Sequence, residues 1–448
     1  MKLYRLRLVL CAAVVFGCGG VNDSGDDDGA PDAGDDGPGD PDAGGADAAA
    51  ADASAPTYAV SGTVAGFAGA GMVLRLNGST DVEITADGAF SFPSNLADGA
   101  TYEVTMAAEP TCPHRVCAVA DATGTISGAD ASGVTVTCVV PIFRLASHNW
   151  GSPAGVRITD DVLALASGAT AVPRIVTGAS TGLGGSDVDS LASDRTRDLI
   201  YVPALVVTPS PSILVFENAS TIAGDVAPAR QIAIEGETDL IGVEVDEEAD
   251  RLYVSGSSGQ LYIFDSASTL TGTVTPTAAI ALDSPGAISL DREADRLYVS
   301  AGTSALYELD GARQLTSAST VSRTMTWTSP AEVAYGIAID GCRDRLYLGM
   351  RNASSNVNVF VLDSASTLTG ALDLQVASQA TLTVPDDQVM SIALDSLGHL
   401  YFWKDSATAV RIIDAPELLS GIVVVIPDKS INAVVASGYG LELIPYAP

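Results

Sequence analysis

Gly242-Val-Glu-Val-Asp246, Asp250-Arg-Leu-Tyr-Val254, Leu261-Tyr-Ile-Phe-Asp265, Ser266-Ala-Ser-Thr-Leu-Thr-Gly272 and Ala278-Ala-Ile280 follow one another as a single unit of sequence. The tract Asp265 to Gly272 recurs letter for letter at Asp363 to Gly370. The Asp-x-x-x-Asp turn recurs at Asp194/Asp198, Asp246/Asp250, Asp291/Asp295 and Asp340/Asp344, with Asp395/His399 as a variant. Successive first positions lie 52, 45, 49 and 55 residues apart. Each unit holds four short apolar runs separated by turn residues, and four strands at that period make a propeller blade. One blade exposes both faces of its sheet, so neighbours must cover them and the array closes into a ring.

The ends of the repeat region extend this reading. Residues 431–436 and 439–444 read as the first two strands of a unit, and 156–165 and 173–176 as its last two. The expected fold of residues 142–448 is therefore a six-bladed β-propeller closed by strands from both ends of the region. The 307 residues divide into six units of about 51. Over its whole length this region resembles the NHL/YVTN-like superfamily of β-propellers. The resemblance implies the fold and little about function, because propellers host many unrelated activities.

Within the units, Tyr201, Tyr253, Tyr298, Tyr347 and Tyr401 fall on the second strand, where packing between blades accounts for them. Arg251, Arg296 and Arg345 are expected to tie a turn aspartate on their own or the next blade, and Ser-Ala-Ser-Thr-Leu to form a capped helical turn. An acid also precedes each first strand. Asp187 and Asp239 stand seven residues ahead of the turn position; Asp283, Glu332, Asp387 and Asp428 stand eight ahead. Six carboxylates at one mouth would focus cations or a basic ligand, and Ca²⁺ is the hard cation that such oxygens take. The local alternative is a turn role, since Asp bonds its own backbone two residues on.

Residues 56–141 alternate apolar and polar positions in short runs, Tyr58–Val64, Met72–Asn77, Val82–Ala86, Ala89–Phe92, Tyr102–Ala107, Cys117–Ala120 and Val134–Val139. That spacing belongs to a small β-sandwich. The segment resembles the Ig-like modules near the start of many bacterial surface lipoproteins. The resemblance implies a disulfide between Cys117 and Cys138, and export permits one. Cys112 and Cys342 remain, either bridging the two domains or reduced.

Met1 to Arg7 carries Lys2, Arg5 and Arg7, and an apolar run, Leu8 to Phe16, precedes Gly17-Cys18. Residues 1–17 therefore read as a secretory signal peptide, with a run too short to span a bilayer. Val15-Phe16-Gly17-Cys18 resembles the bacterial lipobox. It implies lipid on Cys18, hence a membrane partner through the anchor. Gly19 after the cysteine implies outer-membrane rather than inner-membrane placement in Gram-negative lipoproteins. Residues 19–55 hold eleven Asp and no Lys, Arg or aromatic. Such a segment cannot bury enough apolar area to order itself, so 18–55 is a lipidated cysteine and a solvated tether of roughly 30–35 Å or more.

The chain carries 22 Lys and Arg against 55 Asp and Glu, a net charge of −33, which excludes a nucleic-acid partner. Three histidines, His114, His148 and His399, are too few for a multi-histidine metal site unless nearly all converge. No nucleophile motif or phosphate loop is present. The expected function is that of a non-enzymatic cell-envelope lipoprotein, a binding or scaffold protein that takes a protein, glycan or small-molecule ligand. The competing expectation is a metal-dependent hydrolase or lyase of the lactonase kind, which needs polar groups converging in the channel. Of the channel-facing positions, only Glu244 is charged.

Overall fold

The computed structural model describes residues 55–149, 154–183, 190–204, 211–302, 304–327, 333–351, 357–384, 389–404, 409–414, 416, 419–424, 428–432 and 440–446. The leader, Cys18 and the tether through residue 54 lie outside them. The protein is nearly all-β.

Alternation builds the first domain. In Val60–Ala65 and Met72–Leu76 every second side chain is buried, as a sheet with one solvated face requires. One sheet runs Gly88–Ser91, Val60–Ala65, Ala131–Val139, Val116–Ala120; the other runs Thr80–Ile84, Met72–Leu76, Thr101–Ala108, Thr123–Thr125. Val60, Leu74, Val104 and Val134 meet between them in one core. Cys117 and Cys138 are register partners on adjacent strands and are disulfide-bonded.

From Ile142 onward the strands no longer alternate. Leu199–Ala204 and Arg251–Gly256 are buried at every position, because each sheet is covered on both faces. Among the described residues there are six such sheets. The second is a plain meander of Leu240–Asp246, Arg251–Gly256, Gln260–Asp265 and Ala278–Ala281. Counted by their inner strands, the first to fifth sheets begin with Ala192–Asp194, Leu240–Asp246, Pro285–Asp291, Val333–Asp340 and Val389–Leu394. Leu441–Tyr446 is the inner strand of the last, closing sheet. Each inner strand packs on the next, and the closing one packs on the first. This is a β-propeller arrangement. The second-strand tyrosines Tyr201, Tyr253, Tyr298, Tyr347 and Tyr401 are all fully buried in it.

Closure differs from the expected two strands from each end. The C-terminus supplies one strand and the start of the region supplies three: Leu441–Tyr446 pairs with Ile142–Asn149, followed by Gly155–Thr159 and Arg174–Val176. Lys429–Ile431 is instead the outer strand of the fifth sheet. Register explains the difference. Gly440-Leu-Glu-Leu443 repeats the first-strand pattern of Gly242-Val-Glu-Val245, with a close-packed glycine at its start: a Cβ added to Gly242 would stand 2.6 Å from Gly286 O, and one added to Gly440 3.1 Å from Ser190 Cα.

The repeated polar residues join neighbouring elements. The first turn aspartate is buried and accepts from backbone N–H groups of its own turn: Arg197 N at 2.9 Å for Asp194, Ala294 N at 3.0 Å for Asp291, Arg343 N at 3.1 Å for Asp340. The second aspartate adopts the left-handed conformation, with φ of 55° at Asp198 and 51° at Asp250, a region that Asp tolerates. Its carboxylate takes the N–H and hydroxyl of Ser220 (2.7 and 2.6 Å) or Ser268 (2.8 and 2.8 Å). Ser-Ala-Ser-Thr-Leu does form a short 3-10 turn, Ala267–Thr269, but Ser266 makes no side-chain cap and Asp250 does that work from outside.

The expected partners of Arg251, Arg296 and Arg345 are corrected. They pair with Asp265, Asp310 and Asp363 at the end of the third strand of their own sheet, because these are their register partners on the adjacent strand. Other cations tie sheet to sheet. Arg174, Arg230 and Arg323 open outer strands and donate to carbonyls of the next sheet's turn, such as Ile222 O at 2.7 Å and Leu270 O at 2.9 Å. Lys429 donates to Leu163 O in the same way across the chain closure. Outer edges are covered too: Gly272–Val274, Gly370–Leu372 and Gly421–Val424 each pair in parallel with the outer strand of the preceding sheet, which removes an open edge.

Candidate functional site: the central channel

The inner strands of all six sheets line one cavity of about 190 Å³, walled mainly by Leu, Ile, Ala and Gly. Three charged side chains break that wall. Glu244 sits on the second inner strand and accepts from Arg292 Nη2 at 2.9 Å. Arg292, on the turn after the third inner strand, also donates to Val245 O at 2.6 Å. Glu442, on the closing inner strand, accepts from the Ser193 hydroxyl of the first sheet at 2.6 Å.

These groups touch the channel's interior yet are ringed by protein, so the charged forms of the acids are poorly solvated. Burial, with the negative charge of Glu244 added, pushes the Glu442 carboxyl up to about 8. Burial raises Glu244 as well, against the pull of Arg292. Arg292 is raised: burial opposes its charge, but Glu244, Glu247 and Glu442 outweigh that. The channel therefore holds Glu244 within 2.9 Å of Arg292 beside a Glu442 carboxyl whose protonated form burial favours, and a protonated carboxyl can donate as well as accept. Sequence reasoning found Glu244 and missed the other two. Glu442 was legible, since it holds the same place in Gly440-Leu-Glu-Leu443 that Glu244 holds in its own strand. Arg292 follows a turn aspartate, and nothing in its position signals a side chain that folds back inward.

Of the six acids expected at one mouth, Asp239, Asp283 and Asp428 fall among the described residues. Asp239 and Asp283 do precede inner strands, and both act in turns: Asp239 O accepts Ser257 N at 3.1 Å, and Asp283 takes the Ser284 hydroxyl at 3.2 Å. Asp428 is a correction. It precedes the outer strand Lys429–Ile431 and accepts Asp414 N at 2.9 Å, because the closing inner strand starts at residue 441 and not 431. Asp187, Glu332 and Asp387 lie outside the described residues. The organiser of the linker before the second inner strand is Glu237, which accepts from Ser258, Ser257, Thr238 and Tyr262 at 2.6–3.1 Å. Burial works against its charge, but these donors hold the carboxyl below its ordinary value. Among the described residues no three His, Cys, Asp or Glu converge as metal ligands. The histidines lie on three separate elements, and His399 is bonded to Asp395 at 2.6 Å.

At the turn end of the channel the sandwich docks through one loop, residues 109–115. Cys112 is disulfide-bonded to Cys342 in the fourth sheet's turn, so the cysteines left open by the sequence do bridge the two domains. Arg195 of the first sheet's turn donates to His114 Nε2 at 2.6 Å and pairs with Glu109 at 3.3 Å and Glu247 at 3.1 Å. Burial raises the carboxyl of Glu293 in the third sheet's turn overall, although Thr111 lies near enough to favour its charged form. Burial, then the charge of Arg195, pulls His114 down to about 4. It is neutral at pH 7, with an Nε2 lone pair free to accept from a guanidinium that can only donate.

No family model matches the chain, and no curated protein matches it. Among solved structures it is similar to the β-propeller domain of Cps50 (Swd1) from Myceliophteria thermophila, at 8% identity and a TM-score of 0.38, over 52% of this chain and 67% of that one.

Proposed function

We propose that this is a cell-envelope lipoprotein, anchored in the outer membrane through Cys18, that presents a six-bladed propeller as a non-enzymatic binding or scaffold module. Residues 56–141 serve as an Ig-like spacer between the tether and the propeller. The observation that carries the reading is the docking of the spacer. It occupies the turn end of the inner strands, through Arg195, Glu293 and Cys342. The protein, glycan or small-molecule partner is assigned to the opposite end, the side on which Asp239 and Asp283 precede their inner strands. Binding fits the channel better than catalysis does, because its charged groups are committed to one another and to Ser193.

The test is metabolic labelling with a fatty acid, followed by fractionation. Wild-type protein should carry label and sediment with outer membrane, and Cys18→Ser should lose the label and become soluble. Unlabelled wild-type protein that still sediments with the variant would remove the anchor from the account.

A further inference from the structure

We infer that residues 109–115 plug the turn-side mouth of the channel, and that the Cys112–Cys342 disulfide is a reducible latch holding the plug in place. Inner strands pack first to second through to fifth, then to the closing strand and back to the first, so the first and fourth sheets face each other across the axis. His114 meets Arg195 on the first sheet, with 2.6 Å between nitrogens. Cys112, two residues earlier, is bonded to Cys342 on the fourth, with 5.1 Å between Cα atoms. Two residues span about 7 Å at most. A segment that short can touch opposite sheets only by crossing the mouth. Thr111 adds a contact to the third sheet between them.

The latch is placed for exchange. Cys342 is exposed and Cys112 is half-buried, whereas Cys138 of the sandwich disulfide is buried in the core. Beside the latch, the loop is held by side-chain contacts of His114 and Glu109 with Arg195, and Thr111 lies near Glu293. The chemistry needs a dithiol as reductant. Its first thiolate attacks Cys342 Sγ and expels Cys112 as thiolate; its second resolves the mixed disulfide and releases Cys342. Two electrons pass to the protein, two protons follow, and the dithiol becomes a disulfide. With the latch open, the loop is free to leave the turns of the first, third and fourth sheets, and the turn-side mouth is uncovered. The inference uses only the ring order, so the Cys18 experiment can fail without touching it.

The test uses the full chain, oxidised and after graded treatment with dithiothreitol, with mass-mapped alkylation and hydrogen exchange. Cys112 and Cys342 should alkylate before Cys117 and Cys138. Exchange in residues 109–115 should then rise about tenfold or more, with smaller increases in the turns at 195–198, 292–295 and 341–344, and trypsin should gain a cut after Arg115. A Cys112→Ser, Cys342→Ser double variant should show the same pattern without reductant. Three results would overturn the inference: a loop that stays protected after both cysteines are alkylated, a sandwich disulfide that opens first, or a double variant whose propeller unfolds, which would make the bond a staple of the fold.

Discussion

The sandwich and the propeller solve the same problem, burial of strands, with different uses of charge. In the sandwich, apolar alternation and one internal disulfide suffice, and its best ion pair, Arg75–Asp81 at 2.6 Å, stands exposed on the surface. In the propeller, charged groups sit inside at fixed register. Asp246 is fully buried, accepts from Glu248 N and Ala249 N at 3.1 Å each, and takes Arg313 of the next sheet at 2.6 Å. A sandwich closes on itself by packing two facing sheets over one core. A ring must instead fasten each sheet to the next, and hydrogen-bonded charges at repeated positions fix that register.

The contrast can be broken at its largest effect by removing residues 441–448. The propeller then loses its closing inner strand and exposes the facing edges of the first and fifth sheets. The cooperative melting transition of residues 142–440 should disappear, while the sandwich, which has its own core, should keep its strand signal. An unchanged melting transition would show that the ring does not depend on the strand.

A single buried turn charge should cost less. Asp246→Ala strands two backbone donors and Arg313, which costs about 3–5 kcal/mol by analogy with broken buried pairs. Arg75→Ala in the sandwich should leave the melting temperature unchanged, as exposed pairs contribute little. Equal losses at the two sites, read by urea denaturation, would erase the distinction drawn between the domains.

The smallest effect is at the junction. The folded pKa of His114 lies near 4, below its unfolded value of about 6.5. The unfolded state therefore binds the proton more readily, and stability falls as pH drops from about 6.5 to 4, by about 3 kcal/mol at most. Above that window the histidine adds no pH dependence. His114→Gln keeps an acceptor for Arg195 without titrating, so its melting temperature should fall less than that of the wild type between pH 7 and 5. Parallel profiles would place His114 outside the junction.

Much of this was legible in the sequence, for physical reasons that differ by region. The sandwich strands were readable because one solvated face imposes a period of two, as in Met72–Leu76. The sheets of the propeller were readable because the Asp-x-x-x-Asp turn demands a left-handed residue, at Asp198, Asp250, Asp295 and Asp344, and a buried acceptor for backbone N–H groups. What stayed hidden depends on distance in space. Cys112 and Cys342 are 230 residues apart, and only domain docking brings them together. Arg251 reads as a partner for a turn aspartate, but the sheet register sets it opposite Asp265, and Arg313 of the next sheet takes Asp246. The site suffered most from one register choice: placing the closing strand at 431 put Asp428 at the mouth and left Glu442 unnoticed in the channel.

That choice is also where the account is tested most directly. Arg144 and Ile444 are register partners across the chain closure. In the double variant Arg144→Cys, Ile444→Cys, mild oxidation should join the two ends of the propeller region, and peptide mapping should recover a 144–444 cross-link in high yield. The comparison variant Ile431→Cys, Ile444→Cys should not cross-link, because residue 431 belongs to the outer strand of the fifth sheet. Cross-linking of 431 to 444, with none between 144 and 444, would contradict the closing strand and with it the ring order from which the channel and its plug are argued.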